Sequence, residues 1–204
     1  MLIALTQALN MKVNDLGIGR DDRAELAAKV AEGIQSDILI LTGGVSMGEF
    51  DLVPGILADA GVENVFHKVA VKPGKPIWFG TLDRADNANK KRTLVFGLPG
   101  NPVSSLVGFH LFVRTAIRKL TAAKETMPAS VQATLAGDHE TRGNRPTYWP
   151  GRWVTDQSTT RSVMPLVWRG SSDLVALSQA QVLIKFPVES TQHSAGQIVE
   201  VFEL

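Results

Sequence analysis

Three short segments of this 204-residue chain set residue types able to do chemistry beside glycine and proline: GGVSMGEFD at 43–51, KPGKP at 72–76 and GLPGNPVSS at 97–105. Each follows an apolar run, and each sets glycine or proline among hydroxyls, lysines, carboxylates or an asparagine. Gly43 and Gly44 let the chain turn sharply and bring backbone N–H groups close to a ligand, and Ser46 and Gly48 extend the turn. Lys72 and Lys75 are point charges for an oxyanion, and Ser46, Ser104 and Ser105 are hydroxyl donors. Glu49 and Asp51 supply hard oxygen donors of the kind that hold magnesium. Pro99, Gly100, Asn101 and Pro102 form a loop running into a helix, where free N–H groups and a positive dipole end favour an anion. Together these types describe the handling of phosphate or pyrophosphate with a divalent cation. The chain has neither a Walker A pattern nor the dinucleotide G-x-G-x-x-G, so the commoner nucleotide folds have no support.

Such groups need strands that end at the loops. The apolar runs Ile38 to Leu41, Val65 to Val71, Ile77 to Gly80 and Thr93 to Phe96 predict strands, and Met11 to Leu16 a further one. The first run has no polar interruption, which suits a strand covered on both faces. Helices are predicted over Met1 to Asn10, over about Arg23 to Ile34 behind an Asp21 or Asp22 cap, over Leu52 to Ala60, and over Val103 to Leu120. Asp83 to Arg92, with the basic run Lys90-Lys91-Arg92, reads as an exposed connection. This alternation predicts a parallel sheet flanked by helices, whose three loops open on one edge and converge on one ligand.

Past Met127-Pro128 the pattern changes to short alternating stretches: Val131 to Leu135, Tyr148 to Val154, Arg161 to Leu166, Gln181 to Phe186 and Ile198 to Phe202. They predict a small antiparallel sandwich or barrel, interrupted by a short helix over Ser171 to Leu177. Trp149, Trp153 and Trp168 are expected to fill that region, and the four histidines have no metal-ligand spacing. The expected division is 1–124 and 125–204.

Composition narrows the function classes. A net charge of +1 without a basic stripe argues against nucleic acid as partner. The absence of cysteine excludes disulfides and thiolate metal sites and fits a reducing cytoplasm. No apolar run approaches the roughly 18 residues of a membrane span, and no signal peptide is expected.

The three motifs, in this order and spacing, resemble the molybdopterin molybdenumtransferase family, which includes the E domain of gephyrin. The resemblance covers nearly the whole chain once the C-terminal β region is counted. It implies a three-layer, parallel-sheet molybdopterin-binding α/β domain lacking its first strand, followed by a small C-terminal β-barrel. It further implies a cytoplasmic enzyme that inserts molybdate into the dithiolene of adenylylated molybdopterin and releases AMP, with Mg2+ required. Position by position, Asp51 matches an acidic residue near metal and molybdate, and Lys68 and Lys72 match two basic residues near the oxyanion. Asp21 or Asp22 matches an acidic position before a helix, and Ser171 matches a family serine. The family tends to place an arginine after an aromatic pair; this chain has Tyr148-Trp149-Pro150 there, with Arg145 and Arg152 on either side.

Family members also carry two further N-terminal regions, one of them an arm of the homodimer, and an initial strand of the α/β domain with a Thr-Gly-Asp-Glu-like motif. This chain is expected to begin after that strand. Loss of a central strand could exceed the roughly 5–15 kcal/mol that keeps a domain folded. Two alternatives follow: a catalytically inactive, truncated molybdopterin-binding module, or a molybdopterin adenylyltransferase. The latter carry a GGTG-type loop where this chain has GGVSMG.

Overall fold

Asp22 begins the first well-defined helix by accepting the N–H of Glu25 at 2.8 Å, and helix α2 runs over Arg23–Gly33, after a short α1 at Leu2–Gln7. The computed structural model describes residues 1–45, 52–85, 90–154 and 161–204. They form two units, Met1–Val69 with Pro76–Gly100, and Ala70–Lys75 with Asn101–Leu204.

In the first unit, strand β1 (Ile38–Thr42) leads to α3 (Val53–Asp59), β2 (Glu63–His67), β3 (Trp78–Ala85) and β4 (Lys90–Leu98), in sheet order β1-β4-β3-β2. Val30, Leu39, Ile56, Leu57 and Val95 make up the centre of its core. The α/β class holds, but the sheet is mixed rather than parallel. Only β1 and β4 run parallel; β3 is antiparallel to both β4 and β2. The cause is connection length. Ala85 pairs with Lys90, so β3 and β4 form a hairpin, and no helix stands between β2 and β3 to carry a crossover. The same hairpin corrects the exposed connection expected over 83–92: Asp83 lies opposite Arg92, and their side chains make an ion pair at 2.5 Å.

Two further expectations fail locally. Residues 11–16 form no strand, because Asp15 Oδ1 accepts the N–H of Gly17 in a local turn and the Leu16 carbonyl takes the Lys29 ammonium. Strand β2 stops at His67 rather than Val71, since Lys68 adopts a φ of 73°. β1 also lies at an edge of the described sheet, so Leu39 is buried while Ile38, Ile40 and Leu41 are half-buried.

In the second unit, β5 (Ser130–Leu135), β7 (Thr147–Val154), β8 (Ser162–Pro165), β9 (Val182–Phe186) and β11 (Ile198–Glu203) close a barrel in the order β11-β5-β8-β7-β9. All five are the alternating stretches read from sequence; Leu135, Val163, Ile184, Phe186 and Val201 fill the interior. A small pair, β6 (His139–Glu140) and β10 (Gln192–His193), was not expected. The long helix is one run of α4 (Pro102–Gly108), a π turn at Phe109–Val113 and α5 (Arg114–Leu120), and the short helix α6 spans Leu174–Gln179. The arm Ala70–Lys75 belongs here because it ladders onto the start of β7: Lys72 N–H donates to Pro146 O at 2.9 Å and Tyr148 N–H to Lys72 O at 2.7 Å.

Candidate functional site

In the first unit, two of the three glycine-bearing loops lie side by side. β1 and β4 are parallel neighbours, Thr42 opposite Leu98, so their carboxyl ends open together. Gly43 and Gly44 follow with φ of 79° and 64°, a conformation that residues with a Cβ seldom adopt. Gly43 N–H donates to Leu98 O at 3.0 Å, and a Cβ built on Gly100 would stand 3.6 Å from Gly43 Cα. Pro99 is buried beneath the exposed Gly100. His67, one of the four histidines without metal-ligand spacing, ties the end of β2 to this turn through Nε2 and Val45 O at 3.0 Å.

Lys68 follows His67 and is exposed, with its N–H held by Ile77 O at 2.9 Å. Asp22 caps α2 and Asp21, exposed, precedes it. Ser46, Gly48, Glu49 and Asp51 lie outside the described residues, so the expected metal ligands Glu49 and Asp51 do too. Among the described residues, no cluster of three or more histidines and carboxylates could hold a metal ion.

The second unit holds Ala70–Lys75, which carries the third loop up to Lys75, and the residues of 97–105 from Asn101 onward. Lys72 is half-buried and its Nζ donates to Arg142 O at 2.7 Å, beside a cis Lys72–Pro73 bond; Lys75 is exposed. Arg145 Nη1 donates to Val71 O at 2.8 Å. Two cations are thus tied to backbone carbonyls beside the 70–75 and 146–148 contact, Lys72 to Arg142 O and Arg145 to Val71 O. Arg145 flanks the aromatic pair singled out in the sequence, but nothing local showed that it would stand against Val71.

Asn101 precedes α4 and donates from Nδ2 to Ser171 Oγ at 2.9 Å, instead of capping the helix itself. Val103 N–H donates to Ser171 O at 3.1 Å. The structure therefore joins Asn101 and Ser171, 70 positions apart. Pro102 starts α4, and Ser104 and Ser105 are buried within it, at 4% and 3% exposure, whereas Asn101 is exposed. The other histidines stay structural. His110 is buried in the π turn, and burial, then the Arg114 charge, pulls it down to about 4. His139 and His193 face each other across β6 and β10, and burial lowers both.

Residues 1–119 match the family model described as "Probable molybdopterin binding domain". The chain belongs to the molybdopterin-binding domain family. Residues 132–204 match a second model, the MoeA C-terminal region (domain IV), which corresponds to the barrel. Among curated relatives, the molybdopterin molybdenumtransferase of Staphylococcus aureus (strain Mu50 / ATCC 700699) is 33% identical over 202 residues, covering 98% of this chain and 46% of that protein. The protein of the same name from Haemophilus influenzae is 33% identical over 199 residues, covering 97% and 47%. The chain spans about half the length of these relatives. Among solved structures, the molybdopterin biosynthesis MoeA protein of Pyrococcus horikosii superposes with a TM-score of 0.77 at 24% identity, over 98% of this chain and 46% of that one. A molybdenum cofactor biosynthesis protein of Pyrococcus furiosus gives 0.72 at 21%, over 99% and 63%. These likenesses bear out the fold: an α/β domain followed by a C-terminal barrel.

Proposed function

We propose that this chain carries the oxyanion-handling machinery of a molybdopterin molybdenumtransferase, which inserts molybdate into the dithiolene of adenylylated molybdopterin and releases AMP. The observation that supports it most is the pair of fixed cations, Lys72 and Arg145, each held by a backbone carbonyl, Lys72 by Arg142 O and Arg145 by Val71 O, beside the contact between 70–75 and 146–148. Molybdate and the phosphoanhydride are both dianion-like groups, and prepositioned cations stabilise such charge without having to reorganise during reaction. Lys68 and Lys75 add charge, and Asn101 and Ser171 add hydrogen-bond donors. The backbone N–H groups of Gly43 and Gly44, together with Ser46 and Gly48, are assigned to phosphate, as is the Pro99 to Pro102 loop.

Glu49 and Asp51 fit magnesium by their chemistry, two carboxylates two positions apart, and a bound Mg2+ would neutralise phosphate oxygens. Asp21 or Asp22 contributes a further carboxylate, and Ser104 backs the loop from inside α4. On this reading 1–124 is the molybdopterin-binding part and 125–204 the barrel, working in the cytoplasm on small molecules, with a homodimer as the assembly. No helix among the described residues is long and apolar enough to cross a membrane.

Purified chain, incubated with adenylylated molybdopterin, molybdate and Mg2+, should release AMP, and Lys72→Ala should abolish that release.

A further inference from the structure

Ser171 sits in a turn whose hydrogen bonds go around it rather than to it. Asp173 accepts the N–H of Arg169 at Oδ2 and that of Ala176 at Oδ1, both at 3.0 Å. Gly170 O accepts the N–H of Asp173 at 3.0 Å and the indole N–H of Trp168. The Trp168 ring is fixed in turn, edge to face on Trp149 with centroids 4.8 Å apart, and Trp149 Nε1 donates to Leu166 O at 2.8 Å. The bonds from Arg169 to Asp173 and from Asp173 to Gly170 span Ser171, yet Ser171 spends its own groups on 101–103: its carbonyl on Val103 N–H and its Oγ on the Asn101 amide.

A hydroxyl has one proton to give. Since Oγ is the acceptor toward Asn101, that proton points elsewhere. Burial cannot be what holds the turn. Helix α6 has six residues, far short of the roughly 12–15 at which helices persist in water, and only its Ala176 is buried, while Leu174 and Val175 are 59% and 69% exposed.

We propose that Asp173 and Trp168 are positioning residues that fix Ser171 with its hydroxyl proton free to donate to an oxyanion. This rests on the reading of Ser171 as a molybdate contact. The backbone N–H groups of Ala176 and Arg169 hold the Asp173 carboxyl below its ordinary range, so it stays an acceptor at neutral pH. Replacing Trp168 with phenylalanine keeps the aromatic contact and removes only the donor to Gly170.

The test uses the full chain, titrated with molybdate and separately with adenylylated molybdopterin, alongside hydrogen exchange at Val103 and Ile184. In Asp173→Ala and Trp168→Phe, molybdate affinity should fall roughly 10- to 150-fold, the cost of losing one hydrogen bond to a charged group. Exchange at Val103 should quicken about tenfold. Affinity for adenylylated molybdopterin and exchange at Ile184 should not change, which separates positioning from general loss of stability. Asp173→Asn, which keeps an acceptor for Ala176, should recover part of the affinity. Loss of affinity in Ser171→Ala, with wild-type affinity and Val103 exchange in both Asp173→Ala and Trp168→Phe, overturns the positioning claim alone. Unchanged affinity in Ser171→Ala overturns the molybdate reading and the role given to both residues with it.

Discussion

Among the described residues, Lys68 is one of three other than glycine with a positive φ, and it alone of the three is a candidate for the oxyanion site. A left-handed backbone costs a residue with a Cβ about 1–2 kcal/mol. Strain of this size persists where the surroundings over-determine it, and here the Lys68 N–H is fixed by Ile77 O and His67 by Val45 O. Lys68→Gly should therefore raise the unfolding free energy by about 0.5–1 kcal/mol, after allowing for the greater freedom of glycine in the unfolded chain. The same change should weaken molybdate binding, and Lys68→Ala should weaken it without the gain in stability. Urea denaturation and molybdate titration of the two variants check both halves. Equal stabilities would show that the backbone at 68 holds no strain. None of this could be read from the sequence, where Lys68 stands inside an apolar run that predicts a straight strand to Val71.

At the scale of elements, the π turn at Phe109–Val113 carries a buried imidazole, His110, whose Nδ1 meets Arg114 Nη1 at 3.3 Å while its Nε2 finds no partner. Arg114 also reaches Glu203 O at 3.4 Å, so no carboxylate is set against the His110 ring by these contacts. The folded-state value, about 4, lies below the unfolded 6.5, so the unfolded chain binds the proton more readily. Stability is therefore full above the unfolded value and is lost as pH falls from 6.5 toward 4, by on the order of 3 kcal/mol in total. His139 and His193 act in the same direction. Denaturation at pH 7 and pH 4.5 should show His110→Gln losing less stability than wild type between the two; identical losses would remove His110 as a contributor. Elements differ in how far sequence announced them. The five barrel strands alternate with period two between glycine and proline breaks, a local signal. β6 and β10 have two residues each and no period to read. Strand direction was misjudged because an apolar run specifies burial, while the partner's direction depends on connection length, and the run at 90–98 concealed a hairpin behind charged residues.

For the whole molecule, the loop compositions 43–51, 72–76 and 97–105 were legible because glycine, proline and lysine at those spacings have few uses. What sequence could not supply is which backbone each loop is pinned to. The arm with Lys72 leaves β2 and returns to β3, both in the first unit, yet its hydrogen bonds go to Pro146 and Tyr148 at the start of β7. Arg145 enters the candidate site through that nonlocal pairing alone. Cooperative opening follows contiguous packed units rather than sequence order, so the arm should open with the barrel. Phe186 is fully buried in the barrel core, and Phe186→Ala removes contacts worth about 3–5 kcal/mol. In that variant the amides of Lys72 and Tyr148 should exchange faster in step with Ile184, while Val95 in the first unit keeps its wild-type protection. Molybdate affinity should fall with them, since the cation at 72 loses the ladder that holds it. If Lys72 instead keeps pace with Val95, the arm is held by the strands it connects, and the ladder to β7 cannot be what fixes the two cations.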